Sequence, residues 1–323
     1  MKLFDPTYIR NNVDYSFGDQ SGESLPDGYM KNANINNLEF ILKYNEIKQN
    51  KSIMTLFIDN IRLYKRHGIK YTSRELTDDY SRHFKDIRVN ELNSNNDLLE
   101  LCGKLPDIKF IIFTSFEDTP IDEEIIDKIP ENVIGIYSSN STFFGGKVYP
   151  MPYGVQRKLS TLDERQDIIL NFLNKEIQPT KLLYINHNVS TNIKRIEVNE
   201  FFKNKSWVTL DTPTSIGRPD YTNYLTKIKN HKFMICPEGN AIGCDCHRDW
   251  EVIYMKRVPI VIDSEYLRTV FKGIPVLFVE KFTDVTEDLL IKNESLFQEI
   301  QNFDFNQIDV EQYYKQILKN YNI

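Results

Sequence analysis

The sequence predicts an α/β protein with two similar domains, because short apolar runs alternate with helical stretches in both halves of the chain. In the first half, three β-branched and aromatic runs are bounded by turn residues, as buried strands are. They are "SIMTLFI" (52–58), "KFIIFTS" (109–115) and "NVIGIYS" (132–138), and helical stretches such as "NDLLELCGKL" (96–105) and "DEEIIDKI" (122–129) lie between them. This alternation is typical of a parallel sheet flanked by helices.

The alternation restarts after a helical stretch at 160–180. The predicted strands of the second half are "KLLYINH" (181–187), "WVTLD" (207–211), "KFMICP" (232–237), "PIVID" (259–263) and "PVLFV" (275–279). The helix at 190–205 is expected to bury Ile193, Ile196, Val198 and Phe201 or Phe202. We predict domains at 1–157 and 158–323, with the amphipathic tail "VEQYYKQILKNY" returning to the first domain. Because ligands of open α/β sheets bind beyond the carboxyl ends of the strands, a cleft between the two domains is the expected site.

Composition narrows the function classes. With 323 residues, 41% hydrophobic and 12% aromatic, the chain is long enough for two folded domains. A net charge of −6 argues against a nucleic-acid binder. No run reaches the roughly 18 apolar residues of a membrane span, and the start "MKLFDPTYIRNN" lacks the apolar core of a signal peptide. Four cysteines do not make a disulfide framework for this length, so we expect a reducing, cytoplasmic setting.

The segment "EGNAIGCDCHRDWE" (238–251), which is rich in charged residues, cysteine and glycine, follows the strand "KFMICP". Trp250, Ile253 and Tyr254 recur at helical spacing, which predicts a helix that begins near Asp245 or Cys246, with Asp245 as its cap. On this helix three polar residues would share a face near the first turn, namely His247, Arg248 and Glu251. Strand end, glycine loop and helix start therefore coincide here.

The residue types in this segment match a nucleotide-diphosphate site. A helix start and the planar guanidinium of Arg248 suit phosphate oxygens. Glu251, one turn deeper, can accept hydrogen bonds from a vicinal diol such as a ribose, and Gly239 and Gly243 let the backbone approach a ligand. The alternative is that Arg248 and Glu251 form an ordinary surface pair.

A metal site is the competing interpretation of the same segment. Four residues supply ligands that zinc accepts: Cys236, Cys244, Cys246 and His247. The Cys-x-Cys-His spacing lacks the paired cysteines of structural zinc sites, and the zinc-deaminase signature is missing too. We therefore predict no metal site, with buried cysteines that pack near the helix start; a zinc-dependent hydrolase using Cys244, Cys246 and His247 stays an alternative.

"CPEGNAIGCDCHRDWEVIYMKRVPIVI" (236–262) resembles the donor-site segment of exostosin-like glycosyltransferases. Arg248 and Glu251 match that family's R-x-x-E, and "VPIVI" (258–262) matches the strand that follows. The family's next alanine is Val252 here, and its glycine before the strand is replaced within "MKRVP". The match covers residues 180–280.

The segment is also similar, more distantly, to the donor domain of fucosyltransferases. Glu238, Asn240 and Trp250 match that family's "E-N … EKLW" loosely, and Arg195 stands where the family has an arginine in the first helix of its nucleotide domain. No Asp-x-Asp triplet occurs in the chain, which favours Arg195 and Arg248 over a divalent ion for neutralising the diphosphate.

The resemblance implies a GT-B fold, with two Rossmann-like domains that face each other across a cleft, the sugar nucleotide on the second and the acceptor on the first. It implies a metal-independent, inverting glycosyltransferase that needs no cofactor and transfers a sugar from a UDP- or GDP-linked donor to a glycan or other hydroxyl acceptor. A non-catalytic sugar-nucleotide or glycan-binding module of the same fold is the alternative.

Candidate catalytic carboxylates lie in the first domain. Asp19 lies between glycines in "FGDQSG", and Glu117 and Asp118 follow the strand "KFIIFTS". A general base for an inverting reaction would come from such a strand end. His187 follows the first strand of the second domain and could reach the pyrophosphate; the alternative is a loop histidine whose hydrogen bonds are satisfied by its neighbours.

Overall fold

The computed structural model of the chain describes residues 1–17, 38–59, 63, 97–115, 121–141, 143–155, 162–189, 192, 194–211, 220–239 and 243–323. These residues form two compact units. Unit 1 comprises Met1–Tyr153 and Asn306–Ile323, and unit 2 comprises Gly154–Phe305. The division thus falls between residues 153 and 154, where the sequence predicted one between 157 and 158.

Unit 1 is built on a five-stranded, all-parallel sheet. Its strands lie side by side in chain order: β1 (Tyr15–Ser16), β2 (Ile53–Asp59), β3 (Lys109–Ser115), β4 (Val133–Ser138) and β5 (Val148–Pro150). Its helices are α1 (Pro6–Asn12), α2 (Leu38–Ile47), α3 (Leu98–Gly103), a 3-10 helix (Glu123–Lys128) and the tail helix (Val310–Asn320).

The tail helix covers one face of this sheet. Strand residues point alternately to the two faces, so Phe110 and Phe113 of β3 face opposite ways. Phe110 stacks on Tyr44 of α2 at 6.4 Å between ring centroids, whereas Phe113 lies 5.5 Å from Tyr314 of the tail helix. Tyr314 also donates its hydroxyl to the Asn12 carbonyl at the end of α1, at 2.9 Å. The residues of α1 and the tail helix therefore pack together on the face opposite α2.

Unit 2 holds a second all-parallel sheet of five strands. The strands are β6 (Lys181–Asn186), β7 (Val208–Asp211), β8 (His231–Ile235), β9 (Val258–Ile262) and β10 (Leu277–Val279), in the order β10-β9-β8-β6-β7. The chain moves outward one way from β6 to β7 and the other way from β8 to β10. The carboxyl ends of β6 and β8 thus form the switch point at which α/β sheets bind ligands.

The remaining α-helices of the described residues belong to unit 2. They are α4 (Leu162–Leu173), α5 (Lys194–Phe202), α6 (Tyr221–Lys229), α7 (His247–Tyr254), α8 (Glu265–Val270), α9 (Glu287–Lys292) and α10 (Glu294–Gln301). Two parallel sheets with intervening helices confirm the predicted α/β class with Rossmann-like units. Among the described residues, no helix combines the length and apolarity needed to cross a membrane.

The predicted inner face of α5 is partly wrong. The helix buries Arg195, Val198 and Phe202, whereas Ile196 is 47% exposed and Phe201 is 38% exposed. Ile193 lies outside the described residues. A buried arginine takes the position that apolar spacing had given to an isoleucine, because its guanidinium finds hydrogen-bond acceptors in the adjoining loops.

Candidate functional site

Arg195 ties together the two loops at the switch point of unit 2. Its guanidinium donates to three backbone carbonyls: Asn188 after β6 at 3.0 Å, and Pro237 and Glu238 after β8 at 3.2 and 3.1 Å. The side chain is only 5% exposed. A buried charge requires such partners, and these carbonyl oxygens supply three of them. The geometry makes Arg195 a clamp between the strand ends.

His187 lies at the carboxyl end of β6 and contacts this clamp. Its Nε2 lies 3.2 Å from the Arg195 carbonyl, which can only accept, so Nε2 carries the proton. Burial, followed by the charges of Arg248 and Arg195, lowers the pKa of His187 to about 3. The imidazole is therefore neutral at physiological pH.

The loop after β8 is held by its own side chains. Glu238 accepts from Lys194 Nζ at 2.7 Å and from the Gly243 amide at 2.6 Å. Asn192 donates its side-chain amide to the Gly239 carbonyl at 3.1 Å. Gly243 has a φ of +78°, a left-handed conformation that glycine adopts without strain. This loop is thus fixed to the loop after β6 at several points.

Helix α7 begins next to Cys246, close to the predicted start, but its cap differs from the prediction. Its N-cap is Cys246, whose amide donates to Asp249 Oδ2 at 2.6 Å. The predicted cap, Asp245, instead accepts from Trp250 Nε1 at 2.6 Å and from the Tyr266 hydroxyl at 3.1 Å. Its carboxylate bridges α7 and α8, so the prediction that Asp245 caps the helix is wrong.

Asp249 is a buried acid that the sequence analysis did not single out. It is 2% exposed, and burial, reinforced by the charge of Asp245, raises its pKa to about 7. The Cys246 amide and the Arg248 charge oppose that rise. Near neutral pH a substantial fraction of Asp249 is thus protonated.

Arg248 and Glu251 do not form a surface pair. Arg248 is 6% exposed and Glu251 is fully buried at 0%. Glu251 Oε1 accepts from the Tyr221 hydroxyl at 3.1 Å, and Oε2 accepts from the Tyr224 hydroxyl at 3.0 Å. Both tyrosines lie on α6, about one helical turn apart. The ordinary-surface alternative is therefore wrong for both residues.

His247, the third polar residue of this helix start, is held by the chain at the beginning of unit 2. Its Nδ1 lies 2.8 Å from the Gly154 carbonyl. The contact fixes the first residue of α7. It assigns no catalytic role to the imidazole.

The cysteines pack in the interior. Cys236 and Cys244 are buried, and burial raises the pKa of both thiols well above the usual range. Burial likewise raises the pKa of the Cys246 thiol to about 12. In the part of the chain that the structure describes, no three histidine, cysteine or acidic side chains come together as a metal site would require.

Four predicted site residues lie outside the described residues, namely Asp19, Glu117, Asp118 and Asn240. The others are all in unit 2 around the ends of β6 and β8 or at the start of α7. His187 and the buried Arg195 thus lie at the switch point, and the buried Arg248 and Glu251 lie on the helix that follows β8. Such a set can bind an anionic ligand that also carries hydroxyl groups.

No family model and no curated protein matches the sequence. Among solved structures, the crystal structure of an alpha1,3-fucosyltransferase resembles the chain with a TM-score of 0.40 and 13% sequence identity, over 85% of this chain and 92% of that chain. A likeness at this score does not identify the activity or the substrates of this chain.

Proposed function

We propose that the protein is a glycosyltransferase whose unit 2 binds a nucleotide-diphosphate sugar at the switch point between β6 and β8. The observation that carries the proposal is the burial of Arg248 and Glu251 beside this point. An arginine and a glutamate three residues apart, both desolvated, match the diphosphate and ribose of one ligand. In the sequence, the same two residues match the R-x-x-E of exostosin-like glycosyltransferases.

Charge supports a diphosphate ligand. Arg195 and Arg248 are permanently protonated, His187 is neutral, and Asp249 is partly protonated near neutral pH. A diphosphate is the kind of anion that two such cations, Arg195 and Arg248, would attract. Protein cations can do this without a divalent ion, so the proposal includes metal-independent transfer.

The proposed mechanism uses charge that develops during the reaction. As the bond between sugar and diphosphate breaks, the departing nucleoside diphosphate gains negative charge. Arg248 and the clamped loops would then stabilise the transition state more than the ground state. Unit 1 would hold the hydroxyl acceptor, and Asp19, Glu117 and Asp118 stay the predicted sources of its general base for an inverting reaction.

Nucleotide binding tests the proposal first. UDP and GDP, with ADP for comparison, are titrated into the protein by calorimetry with a chelator present. A ligand at 100 times its Kd also adds about 2.7 kcal/mol of stability, which a thermal shift detects. Binding without sugar transfer to any hydroxyl acceptor would favour the non-catalytic module, and absence of binding would refute the proposal.

Variants of Arg248 then test its role. Arg248→Ala should lower kcat/KM by about 10²–10³, the scale of losing one charge-stabilising donor. Arg248→Lys should recover only part, since an ammonium cannot reproduce the bidentate fork. Arg268→Ala is the matched control, because it removes an arginine of the same unit whose side chain is 58% exposed and pairs with Asp263. Equal effects of Arg248→Ala and Arg268→Ala would contradict a specific role for Arg248.

A further inference from the structure

We infer that the Tyr221 hydroxyl competes with a ligand hydroxyl for Glu251, so that binding exchanges one O–H donor for another. The inference rests on the proposed function, since it takes Glu251 as the group that accepts from the ligand diol. It adds a specificity-determining residue, Tyr221, on a different helix from the predicted site segment.

The first step is that Glu251 cannot be reached without a rearrangement. Its side chain is 0% exposed, and phenol hydroxyls contact both carboxylate oxygens. A ligand hydroxyl that approaches either oxygen must share it with the phenol or replace the phenol. The question is which of the two tyrosines gives way.

The two tyrosines differ in their surroundings. Tyr224 is 6% exposed, and its hydrogen bond to Oε2 lies wholly in the interior. Tyr221 is half-buried, begins α6, and makes a hydrogen bond to Oε1 that is only partly buried. A ligand therefore meets the Tyr221 side first. Tyr224 anchors the carboxylate from behind, and Tyr221 covers it.

The chemistry of the exchange is balanced. A phenol and a sugar hydroxyl are both neutral O–H donors, so replacing one by the other keeps the Glu251 carboxylate satisfied. A ligand without that hydroxyl cannot compensate the loss, because a buried acceptor left unpaired is costly. The Tyr221 hydroxyl thus lowers affinity for every diol ligand and does not oppose ligands that lack the diol.

Arg165 strengthens this competition. Its guanidinium lies 4.6 Å from the centre of the Tyr221 ring, a cation–π contact that holds the ring in place. Arg165→Ala, which loosens the ring, should therefore raise the affinity for diol ligands as Tyr221→Phe does, but by a smaller factor.

The test crosses two matched variants with two ligand types. Tyr221→Phe and Tyr224→Phe each remove one hydroxyl from the same carboxylate and keep the ring. Each variant and the wild type are titrated with UDP and GDP and with their 2′,3′-dideoxy forms. Tyr221→Phe should bind the ribose form about tenfold more tightly than the wild type does, a difference of about 1.4 kcal/mol. Its affinity for the dideoxy form should not change.

Tyr224→Phe should not raise the affinity for either form of the ligand. The inference is overturned if Tyr221→Phe leaves the ratio of ribose to dideoxy affinity at its wild-type value, or if Tyr224→Phe tightens ribose binding as much. If neither the wild type nor any variant binds a nucleoside diphosphate, the proposed function falls and the inference with it. Circular dichroism checks that each variant is folded. If Tyr221→Phe does not fold, Arg165→Ala replaces it in the test and must raise the ratio of ribose to dideoxy affinity above the wild-type value.

Discussion

Replacing Arg195 by lysine should destabilise unit 2 by about 3–6 kcal/mol. The guanidinium donates to three carbonyls at 3.0–3.2 Å while 5% exposed. A lysine ammonium keeps the charge, but it cannot span carbonyls on two loops, so we count two hydrogen bonds as lost. Hydrogen bonds to charged groups contribute about 1.5–3 kcal/mol each, which gives the range. With a urea m-value of at most about 3 kcal/mol/M, the unfolding midpoint should fall by at least about 1 M.

Arg257 offers a matched control within the same unit. It is 1% exposed and directly precedes β9, at the amino ends of the strands and away from the switch point. There it donates to the carbonyls of Ile177, Lys229 and Lys256. Arg257→Lys should lower stability by a similar amount. Only Arg195→Lys should also weaken nucleoside diphosphate binding, measured at a temperature where both variants are folded.

Two results would refute this reasoning. An Arg195→Lys midpoint equal to that of the wild type would show that the three carbonyl contacts contribute nothing to stability. Equal nucleotide affinity in both folded variants would show that the clamp is structural alone, and that the loops it fixes do not hold a ligand.

Further predictions concern pH, packing and metal. His187 and His231 have pKa values lowered by burial to about 3 and about 4. The unfolded chain therefore binds more protons, and stability should fall as pH drops from about 6.5 towards 4. Asp249, with its pKa raised to about 7, opposes this because its folded form binds the extra proton. In Asp249→Asn, the free energy of unfolding should thus fall more steeply with decreasing pH, by up to about 1.4 kcal/mol per pH unit. Urea titrations at a series of pH values measure this slope, and an unchanged slope would contradict the raised pKa of Asp249. In unit 1, a Cβ at Gly135 would overlap the Tyr321 hydroxyl, the far end of a side chain that can shift, so Gly135→Ala should cost about 1 kcal/mol, the low end of the range for overpacking. Tyr321→Phe should relieve part of that cost, and additive effects in a double-mutant cycle would argue against the clash. A chelator should change neither folding nor nucleotide binding, and stoichiometric zinc lost together with activity would favour the hydrolase alternative.

The buried strands are the part of the fold that the sequence predicts best. "KFIIFTS" is observed as Lys109–Ser115, because a strand buried on both faces is a continuous apolar run. Helix α1 was missed although its signal is present: Asp5 caps it and Pro6 is its first residue. The order of strands in unit 2, and hence the switch point, is a tertiary property that no local pattern contains.

The candidate site shows the same limit. Arg248 and Glu251 could be selected because they occur in one helical turn next to a strand end. Their burial, and the contacts of Glu251 with tyrosines 27 and 30 residues away, depend on how α6 packs. Asp245 was misassigned as a cap because the indole of Trp250 and the hydroxyl of Tyr266 satisfy it, and sequence spacing does not reveal those partners.

The placement of the tail helix in unit 1 has a consequence for synthesis on the ribosome. Domains commonly fold in the order in which they emerge, the amino-terminal one first. Here unit 2, which is one continuous segment, can be complete while the sheet of unit 1 still lacks the helix that covers one of its faces. Phe113 and its neighbours on that face then lack the Tyr314 side of their cover until the tail helix emerges. Unit 1 is therefore the first unit to emerge and the last to be completed, and its sheet keeps a partly covered aromatic face while unit 2 is synthesised.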